Sequence, residues 1–161
     1  ETLCDDKDKY KNLAEKFLVN SRNCFYIGRG MDYFLCLEAA LKLKEISYIQ
    51  TEGFPAGELK HGTIALIEKD TPVIAVITQE NINLNTRSNI KEVKARGAAT
   101  MVISMHKISQ ERDNIVIDDA NELLSPLTTI IPVQYLAYYA ALLKGCDIDK
   151  PRNLAKSVTV E

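Results

Sequence analysis

A chain of 161 residues, 46% hydrophobic and 26% charged, is long enough to form one domain with a sizeable core. Its formal net charge of −2 gives no electrostatic reason to expect nucleic acid or an anionic membrane as a partner. The scattered Cys4, Cys24, Cys36 and Cys146 have no CxxC spacing, which argues against a zinc site or a disulfide framework and for a reducing, cytoplasmic setting.

Tyr10, Leu13, Ala14, Phe17 and Leu18 recur at the spacing of an amphipathic helix, which the polar stretch 20–23 breaks. Residues 24–27 then read as a short apolar strand ending at Gly28-Arg29-Gly30, followed by a long apolar helix over about 31–48. A short extended piece at 51–54 leads through Pro55-Ala56-Gly57 to a second short helix over 58–66. Pro72 opens the clearest strand, 73–77, whose continuous apolar character suits a sheet covered on both faces. Residues 89–96 read as a helix stopped by Gly97, and 100–104 and 115–117 as two further strands. Ser125 as cap and Pro126 at the first helical position open a last helix to Lys144, ended by Gly145 and with a kink expected at Pro132.

The apolar run 126–143 contains two prolines, Gln134 and three tyrosines, and reads as a core or interface helix rather than a membrane span. The first twenty residues lack the apolar block of a signal peptide, and the chain opens on Glu1, as a fragment or processed product would. Strands alternating with helices predict a single α/β domain over 1–161 with a mostly parallel sheet, binding ligands beyond the carboxyl ends of its strands. Gly28-Arg29-Gly30 sits there, either as a tight turn or as a phosphate cradle at a helix N-terminus.

Glu38, Lys42 and Glu45 fall within about 60° of the long helix's circumference. Their i, i+4 and i, i+3 spacings suit weak surface ion pairs. Tyr33, Phe34, Leu35, Leu37, Leu41, Leu43, Ile46, Tyr48 and Ile49 surround the stripe, which predicts a helix buried on most sides whose charges meet a cleft, an interface or each other. With His61 shortly after, the stripe would supply a carboxylate, an ammonium and an imidazole for proton transfer. Taken alone, Lys156 reads as a solvated tail lysine, His61 and His106 as structural histidines, and Cys24 and Cys36 as packed free thiols.

With IGRG at 27–30, LEAALKLKEISYIQTEG at 37–53, AGELKHG at 56–62 and DKPRNLAKSVTVE at 149–161, nearly the whole chain resembles a sugar isomerase (SIS) domain. Within that family it is most similar to the C-terminal SIS half of the glutamine–fructose-6-phosphate aminotransferases. The resemblance implies a flavodoxin-like, three-layer αβα sandwich around a roughly five-stranded sheet, with a substrate-site tail at 147–161. In those enzymes a glutaminase domain and two SIS domains pass ammonia from glutamine to fructose 6-phosphate, giving glucosamine 6-phosphate for amino-sugar biosynthesis.

By motif, Lys156 resembles the lysine that forms a Schiff base with the sugar carbonyl, and Glu45 the carboxylate that shuttles a proton between C1 and C2. Lys42 resembles a lysine assisting at the sugar hydroxyl, and His61 the ring-opening histidine contributed by the neighbouring subunit. Ala155 resembles a tail residue that contacts substrate through its backbone. The resemblance implies a sugar-phosphate substrate, a homodimer, a cytoplasmic location, and neither metal nor cofactor. The glutaminase domain and the first SIS domain, whose Ser/Thr-rich loop holds the phosphate, lie outside this chain, so it is expected to fold but to have little or no synthase activity alone. The alternative is a non-catalytic sugar-phosphate-binding SIS module, or a related phosphosugar isomerase or deglycase; a sensor needs neither Glu45 nor Lys156.

Overall fold

Apolar strands that must bury both faces need a helical layer on each side, and the computed structural model, which describes residues 5–153, meets that need. In chain order the elements are α1 (Lys7–Phe17), β1 (Asn23–Gly28), α2 (Met31–Ser47), β2 (Gln50–Pro55), β3 (Pro72–Ile77), α3 (Asn83–Lys94), β4 (Ala99–Met105), β5 (Ile115–Ile117) and α4 (Ser125–Leu143). The five strands form one parallel sheet in the order β2-β1-β3-β4-β5. Strand order reverses between β1 and β3, so a crevice opens there at the carboxyl edge.

The two-residue period of each strand divides the core in two. Cys24, Tyr26, Ile74 and Val76 face α1, α2 and α4, while Phe25, Ile27, Val73, Ala75 and Ile77 face α3 and the 3-10 turn Ala56–His61. All six residues of β3 are buried, as a central strand between two layers requires. The α/β three-layer sandwich expected from the sequence is therefore the observed architecture.

Helix α4 packs through Val133, Leu136, Ala137 and Ala140 into the layer shared with α1 and α2, and Tyr135 stacks on Tyr10 with ring centroids 5.0 Å apart. By length and composition Glu122–Leu143 would pass for a membrane-crossing segment, but here it forms a wall of the domain.

Local chemistry moved several boundaries. The segment expected as one helix over 58–66 is two 3-10 turns, Ala56–His61 and Thr63–Leu66, separated at Gly62 with φ 151. Helix α3 starts six residues before its expected first residue, because its early turns bury Thr86, Arg87 and Asn89 rather than an apolar stripe. Ser125 does not cap α4: it lies inside the first turn, and its hydroxyl donates to the Glu122 carbonyl 2.8 Å away. The helix runs as one element through Pro132 and stops at Gly145, φ 70.

Candidate functional site

The carboxyl edge is tightly tied. A Cβ at Gly28 would lie 2.6 Å from the Asp32 carbonyl carbon, and Gly30, at φ 55, has Gln79 Oε1 where a Cβ would stand. That oxygen accepts the Met31 amide at 2.7 Å, and the Asp32 and Tyr33 amides donate to the Arg29 and Gly30 carbonyls. Arg29 Nη2 donates to Asn89 Oδ1 at 3.0 Å. The Met31, Asp32 and Tyr33 amides and the Arg29 guanidinium already have partners within the chain, which favours the tight-turn reading of Gly28-Arg29-Gly30 over a phosphate cradle.

Beneath it Asp32, 2% exposed, accepts from the Thr78 amide at 2.9 Å and from the Thr78 hydroxyl, which in turn contacts Ser125 Oγ at 2.8 Å. Burial raises the Asp32 carboxyl to about 6, against the partly offsetting pull of the Thr78 bonds.

The charged stripe lies at the other end of α2. Lys42 Nζ stands 3.2 Å from Glu45 Oε2 and 3.6 Å from Glu38 Oε1. Burial alone would lower the Lys42 pKa, but the hydrogen bond it donates to Glu45 and the charges of Glu45 and Glu38 outweigh it and hold the ammonium above its ordinary range. Phe34, Leu37 and Leu41 flank the stripe at 63%, 43% and 44% exposure. The helix is thus buried on one side only, contrary to the expectation from its composition; Cys36, Ala39 and Leu43 supply the buried side.

At 1.5 Å per residue Glu45 sits about 21 Å along α2 from Met31, near the amino edge of the sheet. His61 lies beyond the opposite end of β2, at least the strand's own length away, about 17 Å. Lys60 Nζ pairs with Glu92 Oε1 at 2.9 Å and fixes that turn to α3, while His61 is exposed with Glu58 Oε2 3.9 Å from its Nε2. Within one chain, therefore, the fold brings together Lys42, Glu45 and Glu38 and separates His61 from them.

After α4 the chain returns to the amino edge, where Cys146 Sγ approaches the Ser47 carbonyl at 3.9 Å. The Arg152 amide donates to Tyr48 Oη at 3.0 Å, and its guanidinium lies 4.0 Å from the Tyr48 ring centroid. Ala155 and Lys156 lie outside the described residues. Sequence reasoning placed Tyr48 among the packing residues and gave Arg152 no role. One signal was available: α2 turns directly into β2 without a glycine, so any left-handed cap there falls on a non-glycine residue, and Tyr48 takes it at φ 60.

Buried Cys24 and Cys36 are free, and burial pushes both thiols up, which makes them packing groups rather than nucleophiles. Among the described residues no cluster of three or more His, Cys, Asp or Glu side chains is arranged to hold a metal ion.

Residues 17–144 match the SIS domain family. Over all 161 residues the chain is 61% identical to the glutamine–fructose-6-phosphate aminotransferase (isomerizing) of Bacillus subtilis strain 168, of which it spans 27%. The solved C-terminal domain of glucosamine-fructose-6-phosphate aminotransferase from Francisella tularensis superimposes with a TM-score of 0.83 at 35% identity, covering 92% of this chain and 43% of that one. Glucosamine-6-phosphate deaminase from Thermotoga maritima follows the same fold with a TM-score of 0.78 at 25% identity, covering 96% of this chain and 46% of that one.

Proposed function

The chain belongs to the SIS domain family, and from that premise we propose that it is the C-terminal isomerase domain of a glutamine–fructose-6-phosphate aminotransferase. The observation that carries this is the alignment at 61% identity through all 161 residues, the tail with Lys156 included. A sensor module would need no paired carboxylate and ammonium on α2, and the contact between Lys42 and Glu45 favours the enzymatic reading.

In this reading Lys156 attacks the C2 carbonyl of fructose 6-phosphate, forming the imine with loss of water, and ammonia then displaces the lysine. Glu45 takes a proton from C1 and returns it to C2, while the O1 proton ends on nitrogen; the ketose imine becomes the 2-amino aldose, glucosamine 6-phosphate. A carboxylate serves this step best when a partly desolvated site raises its pKa toward neutrality. Lys42 beside it serves the sugar hydroxyl, Ala155 contacts the sugar through its backbone, and His61 opens the ring in the neighbouring subunit's site.

Glu45 is about a third exposed in this chain, and Phe34, Leu37 and Leu41 leave the same helix face open. Both features suit a face covered by the preceding SIS domain of the longer polypeptide, which in turn follows a glutaminase domain. The assembly is a cytoplasmic homodimer whose site is complete only when these parts are together. The isolated chain accordingly folds but forms no glucosamine 6-phosphate from fructose 6-phosphate and ammonia.

Borohydride trapping of fructose 6-phosphate on the full-length enzyme tests the reading. Covalent capture that disappears in Lys156→Ala is the expected result. Undiminished trapping and turnover in that variant, or measurable synthesis by the isolated chain, would overturn the corresponding assignment.

A further inference from the structure

The contact between Tyr48 and Arg152 joins two parts of the chain 104 residues apart, and it does so at the end of α2 that carries Glu45. Three features show a built junction. Tyr48 holds the left-handed conformation at φ 60, costly for a large side chain and retained only where surroundings impose it. Its hydroxyl accepts the Arg152 amide at 3.0 Å, and its ring carries the Arg152 guanidinium at 4.0 Å. The approach is also prepared: Gly145 turns the chain at φ 70, Cys146 meets the Ser47 carbonyl, and Asp147 Oδ1 accepts the amides of Asp149 and Lys150 at 3.1 and 3.0 Å.

We propose that Tyr48, clasping Arg152, is a positioning residue that anchors the C-terminal tail and so sets where Lys156 meets the sugar. The proposal rests on the aminotransferase reading above, in which Lys156 forms the Schiff base. Lys156 follows Arg152 by four residues, a reach of at most about 14 Å. Tyr48 follows Glu45 by three residues, a rise of about 4.5 Å. Arg152 held at Tyr48 keeps the start of the tail beside the helix end that carries Glu45, the carboxylate that in this reading acts on the same two carbons as Lys156.

The test uses the full-length enzyme and its Lys156→Ala, Tyr48→Phe, Tyr48→Ala and Arg152→Ala variants, each checked for an unchanged melting profile. The readouts are borohydride trapping with fructose 6-phosphate and kcat and KM for that sugar. Tyr48→Ala is expected to lower trapping and kcat at least tenfold with KM changed less than threefold. Tyr48→Phe, which keeps the ring beneath the guanidinium, should recover most of the loss, and Arg152→Ala should resemble Tyr48→Ala. Trapping abolished by Lys156→Ala but unaltered by Tyr48→Ala would overturn the clasp and leave the Schiff-base reading standing. Trapping that survives Lys156→Ala would overturn that reading, and the clasp with it. If Tyr48→Ala melts early, Tyr48→Phe and Arg152→Ala decide: wild-type trapping in both refutes the proposal.

Discussion

Lys42 Nζ bridges Glu38 and Glu45 at 3.6 and 3.2 Å, so one ammonium is shared by two carboxylates on a helix face that is otherwise apolar and open. The two acids are not equivalent. Glu45 makes the closer contact and stands nearer the helix end where the tail arrives; Glu38 lies two turns back.

Glu45→Gln in the full-length enzyme should therefore lower kcat for glucosamine 6-phosphate formation by about 10²- to 10⁴-fold, the usual contribution of a proton-transfer group. Glu38→Gln should change it only a few-fold. Neither should move stability by more than about 1 kcal/mol, because these ion pairs are partly exposed. Steady-state rates and thermal melts of both variants check this, and equal losses from the two substitutions would reduce the stripe to a shared electrostatic feature.

Among the described residues, Arg87 and Asp113 form the shortest and most buried charge pair. The guanidinium meets the carboxylate twice, at 2.9 and 2.7 Å, and also donates to the Ile108 carbonyl at 2.7 Å, with side chains 8% and 3% exposed. Burial would raise the Asp113 pKa, but the hydrogen bonds from Arg87, Ser104 and the Gln110 amide, with the charge of Arg87, bring it below its ordinary value. Arg87→Ala strands a buried carboxylate and should cost about 3–5 kcal/mol in urea unfolding. Replacing Arg87 and Asp113 together with apolar residues should recover much of that loss.

Much of this was legible in the sequence for a physical reason. The alternation of apolar strands and helices specifies both layers, and β3, buried at every position, appears as an unbroken apolar run. The first turns of α3 lie outside the expected 89–96 because Thr86 and Arg87 are buried through polar contacts that periodicity does not register. The stripe of Glu38, Lys42 and Glu45 was visible from spacing alone, but its openness was not: Phe34, Leu37 and Leu41 look like core residues until the fold shows nothing over them. The separation of His61 from Glu45 is a property of topology, since the helix between two parallel strands runs back against them and so ends at the opposite edge of the sheet from the strand that follows it.

Asp32 gives the domain a distinctive response to pH. Its carboxyl is raised to about 6 in the fold, chiefly by burial, so the native state holds that proton more tightly than the unfolded chain does. This group penalises the fold above pH 6, and the penalty is relieved as pH falls toward the ordinary carboxylate range. Between pH 7.5 and pH 5 the wild-type chain should gain about 1.4 kcal/mol relative to Asp32→Asn. Urea titrations of both proteins at the two pH values measure the difference, and a gap that does not change with pH would show that Asp32 titrates normally.

The distance between His61 and Glu45 makes the subunit origin of the histidine testable without a structure of the assembly. In the homodimer proposed above, His61→Ala and Glu45→Gln should each lower activity by about 100-fold or more. If each site takes Glu45 from one subunit and His61 from the other, a mixed dimer of the two variants contains one site with both native residues. Random reassortment makes half the dimers mixed, so equal mixing after dissociation should restore about a quarter of wild-type activity. If His61 served its own subunit, each site would lack one residue and mixing would restore none. The fold argues for recovery, because β2 holds the two residues apart within one chain while both remain exposed at its surface.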